Sequence, residues 1–223
     1  SGLLAILTAG LLSACGGVES ETTAPPTATA SAEAGSEQPA LEEMEAGLDV
    51  WRAIADLHCP ENYFAEYDIS YTAGGYTFAE ALRLIKADGR WWAAIDREDV
   101  TVQIYSCDGG KEYAVTDCVS GTTAWYHSED GFTPEACLGI PAASEVSSIL
   151  KTFLEDGAAE SQNGTVTRVQ TGMLSSSTRN VADIIFYYAG ENTRDEYLID
   201  LDTGMIVIAE NYRNNELYAS LSI

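Results

Sequence analysis

Apolar residues are distributed in three distinct ways along the 223 residues. Leu3 to Leu12 is a short, nearly unbroken apolar run, Leu-Leu-Ala-Ile-Leu-Thr-Ala-Gly-Leu-Leu. It is too short to span a bilayer and has the length of a signal-peptide core. From Gly16 to Ala40 the only bulky apolar residue is Val18, and Ser, Thr, Ala, Pro and Glu dominate. A stretch of that composition cannot bury a core, so it reads as a disordered tether. About 25 flexible residues would give a mean span of roughly 25–30 Å. The rest of the chain carries the periodicities of folded structure.

Leu41 to His58 has a helical period, with Leu48, Trp51 and Ala55 on one side and Val50, Ile54 and Leu57 beside them. Glu42, Glu43 and Glu45 favour its N-terminus, and Pro60 stops it. The period then drops to two. In Tyr63 to Tyr71 the odd positions are apolar or aromatic and the even positions after Phe64 are polar, which predicts a strand with one buried face. Further strands follow at 76–87, 90–96, 100–105, 112–116 and 122–127, with turns at Gly74-Gly75, Asp88-Gly89 and Asp108-Gly109-Gly110. A helix interrupts this antiparallel meander. Ser144 is its expected N-cap; Val146, Ile149, Leu150, Phe153 and Leu154 recur at helical spacing; Gly157 ends it. Strands resume at 165–173, 182–188, 196–201, 205–213 and 217–223, the last two hairpins turning at Asp202-Thr203-Gly204 and Asn214-Asn215. Ile184 to Tyr188 is apolar on both faces, which predicts a strand covered on each side.

Charge narrows the function classes. The chain holds 35 acidic and 11 basic side chains, a net of −24. Seven of the acids and none of the bases lie between Cys15 and Glu45. Such a surface repels nucleic acid and disfavours direct adhesion to anionic lipid headgroups.

The apolar run ends in Leu12-Ser13-Ala14-Cys15. An apolar residue three places before a cysteine, with small residues between, resembles the lipobox of bacterial lipoproteins. That resemblance implies cleavage before Cys15 and a lipid on its thiol, hence an extracytoplasmic protein anchored to a membrane. Residues 1–14 are then the signal peptide without its basic n-region, and 15–40 the tether. Gly16 occupies the next position, so no aspartate retention signal is read, and which membrane holds the anchor stays open. Four other cysteines, Cys59, Cys107, Cys118 and Cys137, form an even set in an exported domain and suggest two disulfides. Three connectivities are open, with Cys59–Cys107 and Cys118–Cys137 slightly favoured. Their spacings contain no CxxC pair, which argues against zinc.

The order of elements, the closing segment Tyr197-Leu198-Ile199-Asp200-Leu201-Asp202-Thr203-Gly204-Met205-Ile206-Val207, the strand Tyr63 to Tyr71 and the phrase Asp108-Gly109-Gly110-Lys111-Glu112-Tyr113 are together similar to the LolA/LolB-like superfamily of envelope proteins. That group includes RseB-type sensor domains and mycobacterial lipid-carrier lipoproteins. The resemblance covers roughly residues 45–223, within a folded domain read as 41–223. It implies an α+β fold: a strongly curved, open antiparallel sheet, or half-barrel, with helices covering its concave face. It also implies that a lipid or other apolar ligand is held between sheet and helices. Trp91, Ile95, Ile104, Ile184 and Phe186 from strands, with Phe153 and Leu154 from the helix, are the candidate lining residues.

No catalytic constellation stands out, and neither a cofactor nor a metal is expected. There is no GxSxG, HExxH or phosphate-cradling glycine loop, and only His58 and His127 are available as imidazole bases. Asp202-Thr203-Gly204 has the letters of an aspartic-protease loop, but that chemistry needs a second copy and none exists. Two functions lead: a lipid-binding carrier or receptor, and a non-enzymatic sensor or interaction module acting on a membrane partner whose identity the sequence does not disclose; an enzyme has only the absence of motifs against it. The anchor is testable directly. Behind an intact export leader, the chain is expected to take up a labelled fatty acid in bacteria, and Cys15→Ala to abolish the label; equal labelling of both forms would refute the assignment.

Overall fold

The computed structural model describes residues 41–73, 75–97, 100–155, 160–161, 164–174, 178–188 and 190–223. The expected leader, Cys15 and the tether lie outside the described residues, as do Gly74 and Gly157. Helix α1 (Leu41–Ala55) is followed by β1 (Tyr63–Ala73), β2 (Tyr76–Ala87), β3 (Arg90–Arg97), β4 (Val100–Ser106), β5 (Glu112–Asp117) and β6 (Thr122–His127). Then come α2 (Pro134–Leu138), α3 (Ala143–Glu155), β7 (Glu160–Ser161), β8 (Gly164–Met173), β9 (Asn180–Tyr188), β10 (Thr193–Asp200), β11 (Ile206–Arg213) and β12 (Glu216–Ser222).

All twelve strands belong to one open antiparallel sheet, ordered β6-β5-β4-β3-β2-β1-β12-β11-β10-β9-β8-β7. Each neighbour is the next strand in sequence except at one place, where β1 pairs with β12 through Asp68 to Tyr71 opposite Ser222 to Ala219. Two meanders are thus fused at their first and last strands. The segment from β6 to β7 must connect opposite edges of the sheet, and it carries α2 and α3. The helices and one face of the sheet form the core. Val50 and Ile54 of α1, Leu138 of α2, and Val146, Leu150 and Phe153 of α3 cluster with Tyr67, Leu82, Leu84, Ile184, Phe186, Tyr197 and Leu221 of the sheet.

Alternation decides which side chains face in. In β2, Leu82 and Leu84 are buried while Ala81, Arg83 and Ile85 are exposed. In α1 the buried stripe is Gly47, Val50 and Ile54, shifted from the Leu48–Trp51–Ala55 side that the pattern suggested. The reason is Gly47: a Cβ there would stand 3.1 Å from Leu154 Cδ2, so the missing side chain lets α3 approach. Gly110 serves a similar need, with φ of 86° and the Phe132 carbonyl where a Cβ would go.

Other expectations are corrected. Helix α3 begins at Ala143, so Ser144 lies inside it rather than at its cap. The Glu145 carboxylate accepts from the Ala142 amide at 3.1 Å and caps the turn one residue earlier. The five-residue α2 shows no periodicity and was not anticipated; Thr133 Oγ1 caps it by accepting from the Ala136 amide, and Gly139 ends it in the left-handed conformation. The Asp202-Thr203-Gly204 turn is held by Asp200, whose Oδ1 accepts from the Asp202 and Thr203 amides.

The four cysteines are free thiols, not the two expected disulfides. Their positions in the sheet keep Cys118 and Cys137, one of the two favoured pairs, apart. Cys137 lies close enough to Tyr113, at the start of β5, to act on its phenol, whereas Cys118 follows the other end of that strand. Five residues of strand separate them by about 17 Å, and a disulfide needs Cα atoms within about 7 Å. Ser106 faces inward and is fully buried, so Cys107 next to it is exposed on the other side, whereas Cys59 is half-buried beside Glu135 and Lys86. Burial raises the thiol pKa of Cys137 to about 11 and also raises that of Cys59.

Helix α2 is tied to the sheet by Glu135, which is buried, accepts from the Tyr63 hydroxyl and pairs with Lys86 Nζ at 3.4 Å. Burial raises the Glu135 pKa, but the Tyr63 hydrogen bond and the Lys86 charge outweigh it and hold the carboxyl below its ordinary value. A depressed folded-state pKa stabilises the fold above the ordinary carboxylate range and is lost as pH falls through it. Glu135→Gln is therefore expected to cost about 2 kcal/mol at pH 7. It should also flatten the loss of stability between pH 6 and pH 3, read from urea unfolding at each pH; an unchanged acid limb would remove Glu135 from that role.

Candidate functional site

The inner face of the sheet holds both the expected lining residues and an unexpected group of polar side chains. Trp91 and Ile95 of β3 and Ile104 of β4 are buried on that face, with Phe132 against Trp91 at 5.7 Å between ring centroids. Ile184 and Phe186 of β9 are fully buried some strands away, beneath α3, where Phe153 stacks on Phe186 at 5.3 Å. All six belong to one core cluster. Leu154 is half-buried, packs against the same core and meets α1 at Gly47. Two surface clefts, of about 370 and 430 Å³, are lined by other residues.

The polar group lies on the inner face of β10 and β11, in three successive cross-strand rows. Tyr188, Thr193 and Arg213 form the first; Phe186, Asp195, Asn211 and Ala219 the second; Ile184, Tyr197, Ala209 and Leu221 the third. Thr193, Asp195, Tyr197 and Asn211 are each 5% exposed or less. Asn211 Nδ2 donates to Asp195 Oδ1 at 2.6 Å. Thr193 Oγ1, Tyr197 Oη and Asn211 Oδ1 are buried with no hydrogen-bond partner. Such groups are rare in folded proteins and costly, about 1–3 kcal/mol each. Aromatic rings wall them: Phe186 lies 6.1 Å from Tyr197, and Phe153 lies 6.2 Å from Tyr188. A bulge in the β11–β12 ladder falls between Asn211 and Tyr212, immediately beside the group.

Electrostatics place the charged neighbours. Burial raises the Asp195 pKa, opposed by the Asn211 hydrogen bond and the charge of Arg213. Burial also holds the phenols of Tyr188 and Tyr197 un-ionised, with the Asp195 charge adding to both, Glu191 to Tyr188 and Glu145 to Tyr197. Arg213 is turned onto the Tyr218 ring, 3.5 Å from its centroid. The outer face of the same strands is arranged differently: Arg194 pairs with Glu196 at 2.8 Å and lies over Tyr212, whose hydroxyl donates to Glu210 at 2.7 Å.

Residues Thr193, Asp195, Tyr197 and Asn211 escape sequence reasoning because Thr193-Arg194-Asp195-Glu196 has no apolar member to mark the inward face. The detectable signal is the register: Tyr197 and Ile199 are inward, and counting back by two reaches Asp195 and Thr193.

The outer face carries a second apolar feature. Phe64, Ile85, Trp92, Tyr105, Ala114 and Trp125 are direct cross-strand partners in one row from β1 to β6. Phe64, Ile85, Tyr105 and Trp125 are exposed.

No protein-family model and no curated protein sequence matches the chain. Among solved structures it is similar to a DUF1329 family protein from Desulfovibrio piger, at 12% identity over 78% of this chain and 76% of that one, with a TM-score of 0.31. It is also similar to a chain of the Pseudomonas aeruginosa MucA/MucB complex, at 12% identity and a TM-score of 0.38, covering 81% of this chain and only 55% of that one. A third similarity is to a Vibrio parahaemolyticus domain described as an outer membrane lipoprotein-sorting protein, at 10% identity and a TM-score of 0.26, over 79% and 74% of the two chains. The fold therefore rests on the strand order, register and helix packing given above.

Proposed function

We propose that this chain is a non-enzymatic, extracytoplasmic binding protein that takes a lipid or other apolar ligand between the inner face of its sheet and the helices. In this reading the sheet is the half-barrel of LolA-like proteins and the chain is held near a membrane by a lipid on Cys15. The observation that carries it is the buried set Thr193 Oγ1, Tyr197 Oη and Asn211 Oδ1, left without partners beside the Phe153–Phe186–Tyr197 aromatic cluster. An apolar interior with a few convergent polar groups has the make-up of a small-molecule site. A ligand there replaces sheet-to-helix contacts, so α1 and α3 act as a cover that shifts to admit it.

The second reading is a sensor or interaction module that regulates a membrane partner. The exposed outer row from Phe64 to Trp125 favours it, because a contiguous aromatic patch on a soluble face marks a contact surface. Native mass spectrometry of the full chain purified from a bacterial envelope distinguishes the two. Lipid-mass adducts that survive desalting support the binding protein. A lipid-free chain that retains a stoichiometric protein partner, and loses it on Trp125→Ser, supports the interaction module instead.

A further inference from the structure

The ligand reading leaves open what kind of head group the interior would accept, and the polar rows of β10 and β11 bear on it. Thr193 Oγ1, Tyr197 Oη and Asn211 Oδ1 are buried and unpartnered, and all three can accept hydrogen bonds; the amide oxygen of Asn211 can do nothing else. Asn211 has already committed its amide N–H to Asp195, which fixes that oxygen's role. Acidic charges predominate around them: Asp195 within the group, Glu191 acting on Tyr188, and Glu145 of α3 acting on Tyr197. Arg213, the cation whose charge reaches Asp195, has its guanidinium over the Tyr218 ring. A carboxylate or phosphate head could accept from the Thr193 and Tyr197 hydroxyls, but it would meet the Asn211 oxygen, which cannot donate, and the negative charge of the neighbouring carboxylates. A neutral alcohol would supply one donor. An ammonium brings three donors and the compensating charge. Burial raises the Asp195 pKa by penalising its charged form, and a cation beside it offsets that penalty.

We propose that Thr193, Asp195, Tyr197 and Asn211 form a head-group subsite that binds the protonated amine of an apolar-tailed molecule. The proposal rests on the interior-ligand reading above. The tail lies along Phe153, Phe186 and Ile184, and the amine donates to Asn211 Oδ1, Tyr197 Oη and the Asp195 carboxylate.

The test is calorimetric titration of the full 223-residue chain at pH 7 with octylamine, 1-octanol and octanoate, each below its micellar concentration. Octylamine is expected to bind about tenfold more tightly than octanol, with octanoate weakest. Asp195→Asn and Asn211→Leu are expected to bring the amine-to-alcohol ratio close to one, because octylamine loses a charge-assisted contact and octanol loses at most a neutral hydrogen bond. Tyr197→Phe, which removes one of the three acceptors, replaces either variant that fails to show a cooperative thermal transition, with the same expected narrowing of the ratio. Octanol binding as well as octylamine, or an amine preference that survives all the variants, overturns the head-group assignment and leaves the interior-ligand reading intact. Failure of all three probes to bind overturns both.

Discussion

The pairing of β1 with β12 is the constraint on which the rest of this molecule depends. It joins the two meanders into one sheet and leaves β6 and β7 as its edges. The chain between those edges then has to pass across a face, and it does so with α2 and α3, which turns that face into an interior. Ile69 opposite Leu221 carries the junction on the inward side, and Ser70 shares a hydrogen bond with Ser220 at 2.9 Å on the other. A one-residue slip here would exchange the inner and outer faces of one meander relative to the other. The inward residues of that meander would then face solvent.

The two faces treat polar groups differently, and that contrast carries the functional argument. Outside, charges are paired at little energetic consequence: Arg83 with Asp96 at 2.8 Å, Arg194 with Glu196 at 2.8 Å. Inside, Glu135 is fully engaged by Tyr63 and Lys86 and fastens α2 to β1 and β2. Among the described residues, the inner rows of β10 and β11 keep three side-chain atoms that are both buried and without a hydrogen-bond partner, Thr193 Oγ1, Tyr197 Oη and Asn211 Oδ1, and Trp91 Nε1 on β3 is another. A marginally stable fold keeps few such groups. Their concentration beside stacked aromatics is the expected signature of a place where something else supplies the missing partners.

The cysteines show how a sound compositional rule is overruled by geometry. An even number of cysteines favours disulfides where a chain is exported, but here the strand spacing separates Cys118 from Cys137, and alternation separates Cys107 from the inward side. What burial does instead is suppress thiolate formation at Cys59 and Cys137, which makes them quiet packing residues.

Local pattern was enough for most of the elements, because strand alternation and helical periodicity are written in neighbouring residues: Tyr63 to Tyr71, the Val146–Leu154 stripe and the Asp108-Gly109-Gly110 turn were all legible. The antiparallel open sheet with helices on one face was legible as well, through strand order and a family resemblance. Features that depend on residues distant in sequence were not. Nothing near Gly47 announces Leu154, and nothing near Glu135 announces Tyr63 and Lys86. Asp195 and Asn211 look like solvent-facing strand residues until pairing sets them opposite each other on the inner face. Tertiary structure alone decided that site, because an unsatisfied buried group is defined by what surrounds it, and its surroundings come from four different strands and a helix.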